Sequence, residues 1–198
     1  MIIGITGGIA SGKTTISNYI GTETPYKVVD ADFIAKRLIS TNEIEHSIKN
    51  AFPEAYTDAG QINRKILGDI IFYDNKRKEV LNSIMLPAIR KEMLIQINHL
   101  IDSGEKIVFV DSPLLIESGM FEYVDKIIVI TCEKSERVKR IVKRNNWNEE
   151  KALMAINSQM PDETKMKYAT HAIDTSSSDL NSVYELVRNL IKSFESEI

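Results

Sequence analysis

The sequence predicts an α/β fold with a largely parallel sheet, and three observations carry that prediction. Short apolar, β-rich runs alternate along the chain with stretches of helical periodicity. Lys106–Val110 (KIVFV) and Lys126–Ile130 (KIIVI) are apolar without alternation, as strands buried on both faces are. Four of the 9 glycines, Gly4, Gly7, Gly8 and Gly12, crowd the junction between the first apolar run and the helical stretch that follows it.

The elements follow in order. Met1–Thr6 (MIIGIT) reads as a buried strand, Ser11–Ile20 as the helix after it, and Tyr26–Val29 as a second short strand ending at Asp30. Residues 33–104 are mainly helical in pattern, too long for a simple crossover, and read as a helical insertion that could form a substrate-binding lobe. Within it, Pro87 is placed to open a helix whose Ile89, Met93, Leu94, Ile97, Leu100 and Ile101 form one stripe, with Gly104 just past its end. The two apolar strands come next. A last short strand is expected near His171–Ile173, then a loop at Ser176-Ser177-Ser178. The closing helix is marked by Leu180, Val183, Val187, Leu190, Ile191 and Phe194.

Composition sets limits. With 198 residues, 43% of them hydrophobic, the chain can bury the core of one domain. Lys and Arg number 25 against 28 Asp and Glu, a net charge of −3, which gives no basic excess for nucleic acid. A single cysteine, Cys132 in the run IIVITC, excludes an internal disulfide and reads as a small buried hydrophobe. The 3 histidines, His46, His99 and His171, lack metal-ligand spacing. No apolar run approaches the roughly 18 residues of a membrane span, and MIIGITGGIA lacks the basic start of a signal peptide. A reduced cytoplasmic location is the expectation.

Gly7-Gly8-Ile9-Ala10-Ser11-Gly12-Lys13-Thr14 fits GxxxxGK(S/T) and lies between a strand and a helix. Glycines let successive N–H groups turn inward around phosphate oxygens, and the helix start adds its positive end. Lys13 would then reach the β- and γ-phosphates and the Thr14 hydroxyl would bind Mg²⁺. The motif identifies a nucleoside triphosphate site without naming a reaction. DxxG, NKxD and an LSGGQ-like signature are all missing, which leaves the small-molecule kinases.

Two acidic positions sit at strand ends, where α/β proteins bind ligands. In Asp30-Ala31-Asp32-Phe33-Ile34-Ala35 a carboxylate either orients an acceptor hydroxyl or caps a helix; Asp30 suits the cap and Asp32 the base. Asp111 ends the KIVFV strand as a Walker B carboxylate would, holding Mg²⁺, or else caps the turn before Pro113.

Taken together, these motifs resemble the dephospho-coenzyme A kinase family nearly end to end. GITGGIASGKTT is similar to its opening loop and VVDADFIAKRL to its acidic second motif. Gly60-Gln61-Ile62-Asn63-Arg64 with Leu67 and Phe72 matches a third segment. Val110-Asp111-Ser112-Pro113-Leu114-Leu115-Ile116-Glu117 resembles the PLLFE motif, and Arg140 and Arg144 followed by Gln159 resemble the lid.

The resemblance implies a P-loop kinase fold like that of nucleoside monophosphate kinases. Its parts would be a five-stranded parallel core (1–32, 105–133 and 162–198), a helical CoA-binding insertion (33–104) and a lid (134–161). It implies ATP-dependent phosphorylation of the 3′-hydroxyl of dephospho-CoA, with Asp32 as catalytic carboxylate beside Lys13 and Arg140. Gly7, Gly8, Ala10, Ser11, Gly12, Lys13, Thr14 and Thr15, with Arg140 and Arg144, would bind the nucleotide. Arg64 and Leu114 would join Asp32 at the acceptor, and Thr14 and Asp111 would hold Mg²⁺. Other small-molecule P-loop kinases, such as those acting on nucleoside monophosphates, and a nucleotide-binding regulatory module are the competing readings. Expected partners are ATP and dephospho-CoA, with no nucleic acid or membrane, in a monomer or weak homo-oligomer.

Three positions depart from the family pattern. Ala10 replaces a common glycine, Leu86-Pro87 stands where His-Pro is frequent, and Thr175 follows Asp174 where asparagine is usual. Ala10 is expected to take ordinary helical or extended φ at little cost. In the basic run Lys134 to Arg144, the stripe Val138, Ile141 and Val142 predicts a packed helix. Its Lys134, Lys139 and Lys143 read as a solvated face, while Arg140 and Arg144, four apart, could project together. Trp147 and Tyr168 read as packing residues rather than adenine stackers, and Glu117 as a group that orients a loop.

Overall fold

The computed structural model describes residues 1–177 and 179–198; Ser178, part of the expected serine loop, lies outside them. Among the described residues, five parallel strands make one sheet: β1 (Ile2–Gly7), β2 (Lys27–Asp30), β3 (Val108–Asp111), β4 (Lys126–Thr131) and β5 (His171–Asp174). Their order is β2-β3-β1-β4-β5. The continuous apolar runs occupy the middle because a central strand is covered on both faces. Ile3, Ile5, Phe109, Val110, Val129 and Ile130 are fully buried, whereas β2 and β5 at the edges each bury a single residue, Val29 and Ile173.

The chain divides into two compact units, Met1–Asp30 with Gln96–Ile198, and Ala31–Ile95. In the first, α1 (Lys13–Glu23) and α9 (Leu180–Glu195) pack Ile16, Ile20, Val183, Val187, Ile191 and Phe194 on the sheet. Leu180, read from sequence as part of that stripe, is half exposed, because it sits at the first turn beyond the sheet-facing run. Beside the edge of this core, the Tyr26 hydroxyl donates to Glu195, and burial together with that carboxylate pushes the phenol up to about 12. Cys132 is buried as expected.

On the same unit, α6 (Lys134–Asn145) and α7 (Glu149–Asn157) enclose a small satellite core of Ile141, Ala152 and Ile156. Val138, Val142 and Trp147 pack against it, and so do Ile9 and Ala10 of the glycine-rich loop. Trp147 is therefore a packing residue, with Lys151 Nζ 4.7 Å from its ring centre. Tyr168 meets Phe121 edge to face at 4.9 Å. The short α8 (Asp162–Met166) follows α7.

The second unit holds α2 (Ala31–Leu38), α3 (Asn42–Ala51) and α4 (Arg64–Tyr73), with the start of α5 (Asn75–Asp102). Phe52 is fully buried and carries the Arg77 guanidinium over its ring at 4.4 Å, while Arg77 also pairs with Glu54. Asn63 caps α4 by accepting from the N–H groups of Lys65 and Ile66.

Pro87 does not open a helix; it lies inside α5. The helix begins twelve residues earlier because the Asp74 carboxylate accepts from the N–H groups of Lys76 and Arg77 and so starts the turn there. An internal proline costs a hydrogen bond and about 3 kcal/mol, offset by burial of Met85, Ile89, Met93 and Ile97 along one face. The expected stripe ends early, since Ile101 is exposed. Gly104, at φ 98°, terminates the helix.

Candidate active site

The loop between β1 and α1 is built from its backbone outward. Ser11 N–H donates to Gly8 O at 3.1 Å, closing a tight turn, and Ile16 N–H donates to Gly12 O at 3.2 Å as the first helical bond. Gly12 has φ 89°, a left-handed value suited to a residue without Cβ. Ala10 has φ 61°, so the expectation of ordinary backbone at this position is wrong. The residue after Ile9 must reverse the chain while keeping the Ala10 methyl on the satellite core, and a left-handed turn does both. For a residue with Cβ that conformation costs roughly 1–2 kcal/mol.

At the inner end of the loop, Lys13 is buried and its Nζ pairs with Asp111 Oδ1. Asp111 is the last residue of β3, 4% exposed, in register with Ile5 of β1 and Asp30 of β2. The pair therefore stands at the carboxyl ends of three adjacent strands, where α/β sheets place ligands. Thr14 and Thr15 follow on the first turn of α1 and are exposed. Ser11 Oγ is buried and, among the described residues, is a side-chain polar atom without a hydrogen-bond partner.

Side chains hold the outer tip of the loop through its main chain. Ile9 N–H donates to Gln159 Oε1 at 2.6 Å, and Ile9 O accepts from Arg137 Nε at 2.8 Å. Ala10 O accepts from an Arg140 terminal nitrogen at 3.3 Å, and Ser11 O from Thr175 Oγ1 at 2.5 Å. Arg140 also donates to Thr175 Oγ1 at 3.1 Å and to Thr175 O at 2.5 Å. Thr175, which stands where asparagine is usual, is thus a buried hub joining Ser11, Arg140 and Thr131.

Arg144 does not join Arg140: it is exposed, and its Nε donates to Asn145 Oδ1 at 3.0 Å. Arg140 instead pairs along the helix with Glu136 at 3.4 Å. Leu114 is half buried, while its neighbour Leu115 is fully buried, with a methyl where a Cβ on Gly4 would have to go. In the other unit, Asp32 is exposed in the first turn of α2, two residues beyond β2. Arg64 is exposed at the start of α4, donating to Lys36 O at 3.2 Å and to Ser40 Oγ at 3.4 Å.

Two buried cations were missed by reading the sequence. Arg137 is 4% exposed, ion-paired with Asp162 at 2.8 Å, and lies so close to Gly8 that a Cβ there would collide with its guanidinium. Its signal was present: Arg137 stands four residues before Ile141, on the buried seam of α6. Lys165 is 1% exposed and donates to Glu117 Oε1 and Pro113 O, each at 3.0 Å, so Glu117 holds α8 to the turn after β3. No periodicity flags a lysine in the run TKMKY.

Metal fit depends on the donors present. Among the described residues no group of three His, Cys, Asp or Glu side chains could hold a metal ion. The loop hydroxyl of Thr14 and the Asp111 carboxylate are hard oxygen donors of the kind Mg²⁺ prefers when phosphate and water complete its shell. The residues fit Mg²⁺ on that basis.

Comparison with known proteins places the chain. A family model described as dephospho-CoA kinase matches residues 1–181. A dephospho-CoA kinase of Bacillus anthracis is 38% identical over 176 residues, 88% of each chain. The crystal structure of TT1252 from Thermus thermophilus is 30% identical with a TM-score of 0.80, covering 100% of this chain and 97% of that one. A dephospho-CoA kinase from Campylobacter jejuni is 29% identical with a TM-score of 0.70, covering 100% and 98%.

Proposed function

This chain belongs to the dephospho-CoA kinase family, a P-loop kinase fold, and we propose how its residues divide the reaction. The reaction is the ATP-dependent phosphorylation of the ribose 3′-hydroxyl of dephospho-CoA, giving coenzyme A and ADP, the final step of coenzyme A biosynthesis. Asp32 orients the hydroxyl and takes its proton as the oxygen attacks the γ-phosphorus in line; the bridging bond to the β-phosphate breaks and ADP leaves. Lys13 holds the β- and γ-phosphates within a cradle of Gly7, Gly8, Ala10, Ser11, Gly12, Thr14 and Thr15, and Arg140 stabilises the charge on the transferring group. Arg64 and Leu114 contribute to acceptor binding, with Arg64 in the helical segment 33–104. The segment 134–161 acts as the lid.

Mg²⁺ held by Thr14 and Asp111 would neutralise phosphate charge when bound. The protein works in the cytoplasm as a monomer or weak homo-oligomer; no helix among the described residues is long and apolar enough to cross a membrane. Of the observations supporting this division, the one that carries it is the buried Lys13–Asp111 pair at the carboxyl ends of the parallel strands, on the GxxxxGK(S/T) loop.

The test is ADP release with dephospho-CoA, AMP, UMP or no acceptor, for the parent chain and Asp32→Asn. The parent should turn over with dephospho-CoA only. Asp32→Asn should lose about 10²–10⁴-fold in kcat, the range of a general base, with ATP affinity within about twofold of the parent. Parent-like turnover in that variant would remove Asp32 from the chemistry, and turnover with AMP or UMP would reassign the acceptor.

A further inference from the structure

The phosphate loop carries a turn that its own sequence resists. Ala10 is left-handed at φ 61°, and nothing in the hydrogen bond from Ser11 N–H to Gly8 O within the loop compels that value. What surrounds Ala10 does. The peptides on either side of Ile9 are each held once, Ile9 N–H by Gln159 and Ile9 O by Arg137 Nε, and the carbonyl of Ala10 itself is held by Arg140.

Arg137 is the member of this set that is almost completely buried. Its guanidinium lies against Gly8 on one side and is anchored by Asp162 at 2.8 Å on the other. A planar fork held by a carboxylate cannot swing away, so it fixes the direction of the Ile9 carbonyl and with it the rotation of the Ile9–Ala10 peptide. Lys13, Asp111 and Thr14 lie beyond this grip, so the pair acts on loop shape and not on the reacting atoms.

We propose that the Arg137–Asp162 pair is a positioning device for ATP: it holds the Ile9–Ala10 peptide so that the loop keeps the left-handed turn at Ala10 and is preformed for the nucleotide. The proposal rests on the reading of this loop as the ATP site. Glycine at position 10 would take the same turn without help, which makes the device necessary because alanine is there. A preformed loop lowers the ordering that binding must impose, so losing the device raises KM for ATP more than it lowers kcat.

The experiment is a double-mutant cycle with Arg137→Met, which keeps the bulk of the stem but removes the donors, and Ala10→Gly, assayed as steady-state kinetics with ATP and dephospho-CoA. Turnover of the parent with dephospho-CoA tests the reaction itself, and the cycle tests only the device. R137M should raise KM for ATP about ten-fold, with kcat and KM for dephospho-CoA changed less than about twofold. Adding A10G to R137M should recover most of the loss, a gain larger than the same substitution gives in the parent.

A merely structural arginine would lower stability without this split and would not be rescued by glycine. Unchanged KM for ATP, a loss confined to kcat, or failure of A10G to rescue would each overturn the proposal. Should R137M not yield folded protein, Asp162→Asn with and without A10G applies the same criteria, with a smaller rise of about threefold because Arg137 remains.

Discussion

The two ends of the phosphate loop are held in opposite ways. At the inner end a buried charge pair, Lys13 with Asp111, joins two side chains and leaves the main chain alone. At the outer tip the bonds run from Gln159, Arg137, Arg140 and Thr175 to the main chain of Ile9, Ala10 and Ser11. Phosphate oxygens compete directly for an ammonium, so the inner pair is an exchangeable contact that holds Lys13 in place until nucleotide supplies another anion. Carbonyls at the tip offer nothing to a phosphate. Phosphate does not compete for the bonds from Gln159, Arg137 and Thr175, which therefore define the shape the nucleotide meets.

Breaking the inner end should therefore have the largest effect. Lys13→Met removes the phosphate contact and should cut kcat/KM about 10²–10³-fold, the cost of losing one preorganised charge donor. It also strands Asp111 in a buried setting, a loss of about 3–5 kcal/mol when one partner of a buried pair is removed. Adding Asp111→Asn relieves the stranded charge, so Tm should recover in K13M/D111N while turnover does not. Recovery of turnover along with Tm would mean that Lys13 acts only as Asp111's counter-ion.

A break at the tip should be smaller and should fall on affinity. Thr175→Val keeps the volume of the hub but removes its hydroxyl, leaving Ser11 O without its donor and Arg140 without one of its acceptors. An unmade buried hydrogen bond costs about 1–3 kcal/mol, to be read as a drop in Tm, with a several-fold rise in KM for ATP and kcat nearly kept. If thermal unfolding and KM both match the parent, the tip is not held at Thr175.

The same contrast explains what could be read in advance. The inner end was legible because its chemistry is written in residue types at fixed spacing: glycines, Lys13, and an aspartate closing an apolar strand. Central strands were legible for the same reason, since continuous apolar runs have few other fates. The tip was not, because it is made of side chains bonding to carbonyls, and any residue supplies a carbonyl. Ala10 looked innocuous until its φ was known. Arg137 was passed over within a basic run in which Lys134, Lys139, Lys143 and Arg144 are exposed and Arg140 is half-buried, although its place on the Ile141 seam marks it. Pro87 misled for a related reason: the Asp74 side chain sets the start of α5 at Asn75, twelve residues before the proline.

Between the two ends lies Ser11, and the smallest effect is expected there. Its N–H and C=O are both engaged, with Gly8 O and with Thr175, while its buried hydroxyl lacks a partner among the described residues. The backbone thus fixes the residue without help from the side chain. An unpaired buried hydroxyl is a net cost to the nucleotide-free protein, so Ser11→Ala should raise its Tm by about 2–4 °C, the equivalent of about 1 kcal/mol for a chain of this size. Nucleotide completes the hydroxyl if it meets a phosphate oxygen, and the rise in Tm on adding ATP should then be smaller in the variant than in the parent. A lower Tm without nucleotide would show that the hydroxyl is bonded in solution. An equal ATP-induced rise would confine phosphate recognition at this position to the main chain, making the middle of the loop resemble its tip rather than its Lys13 end.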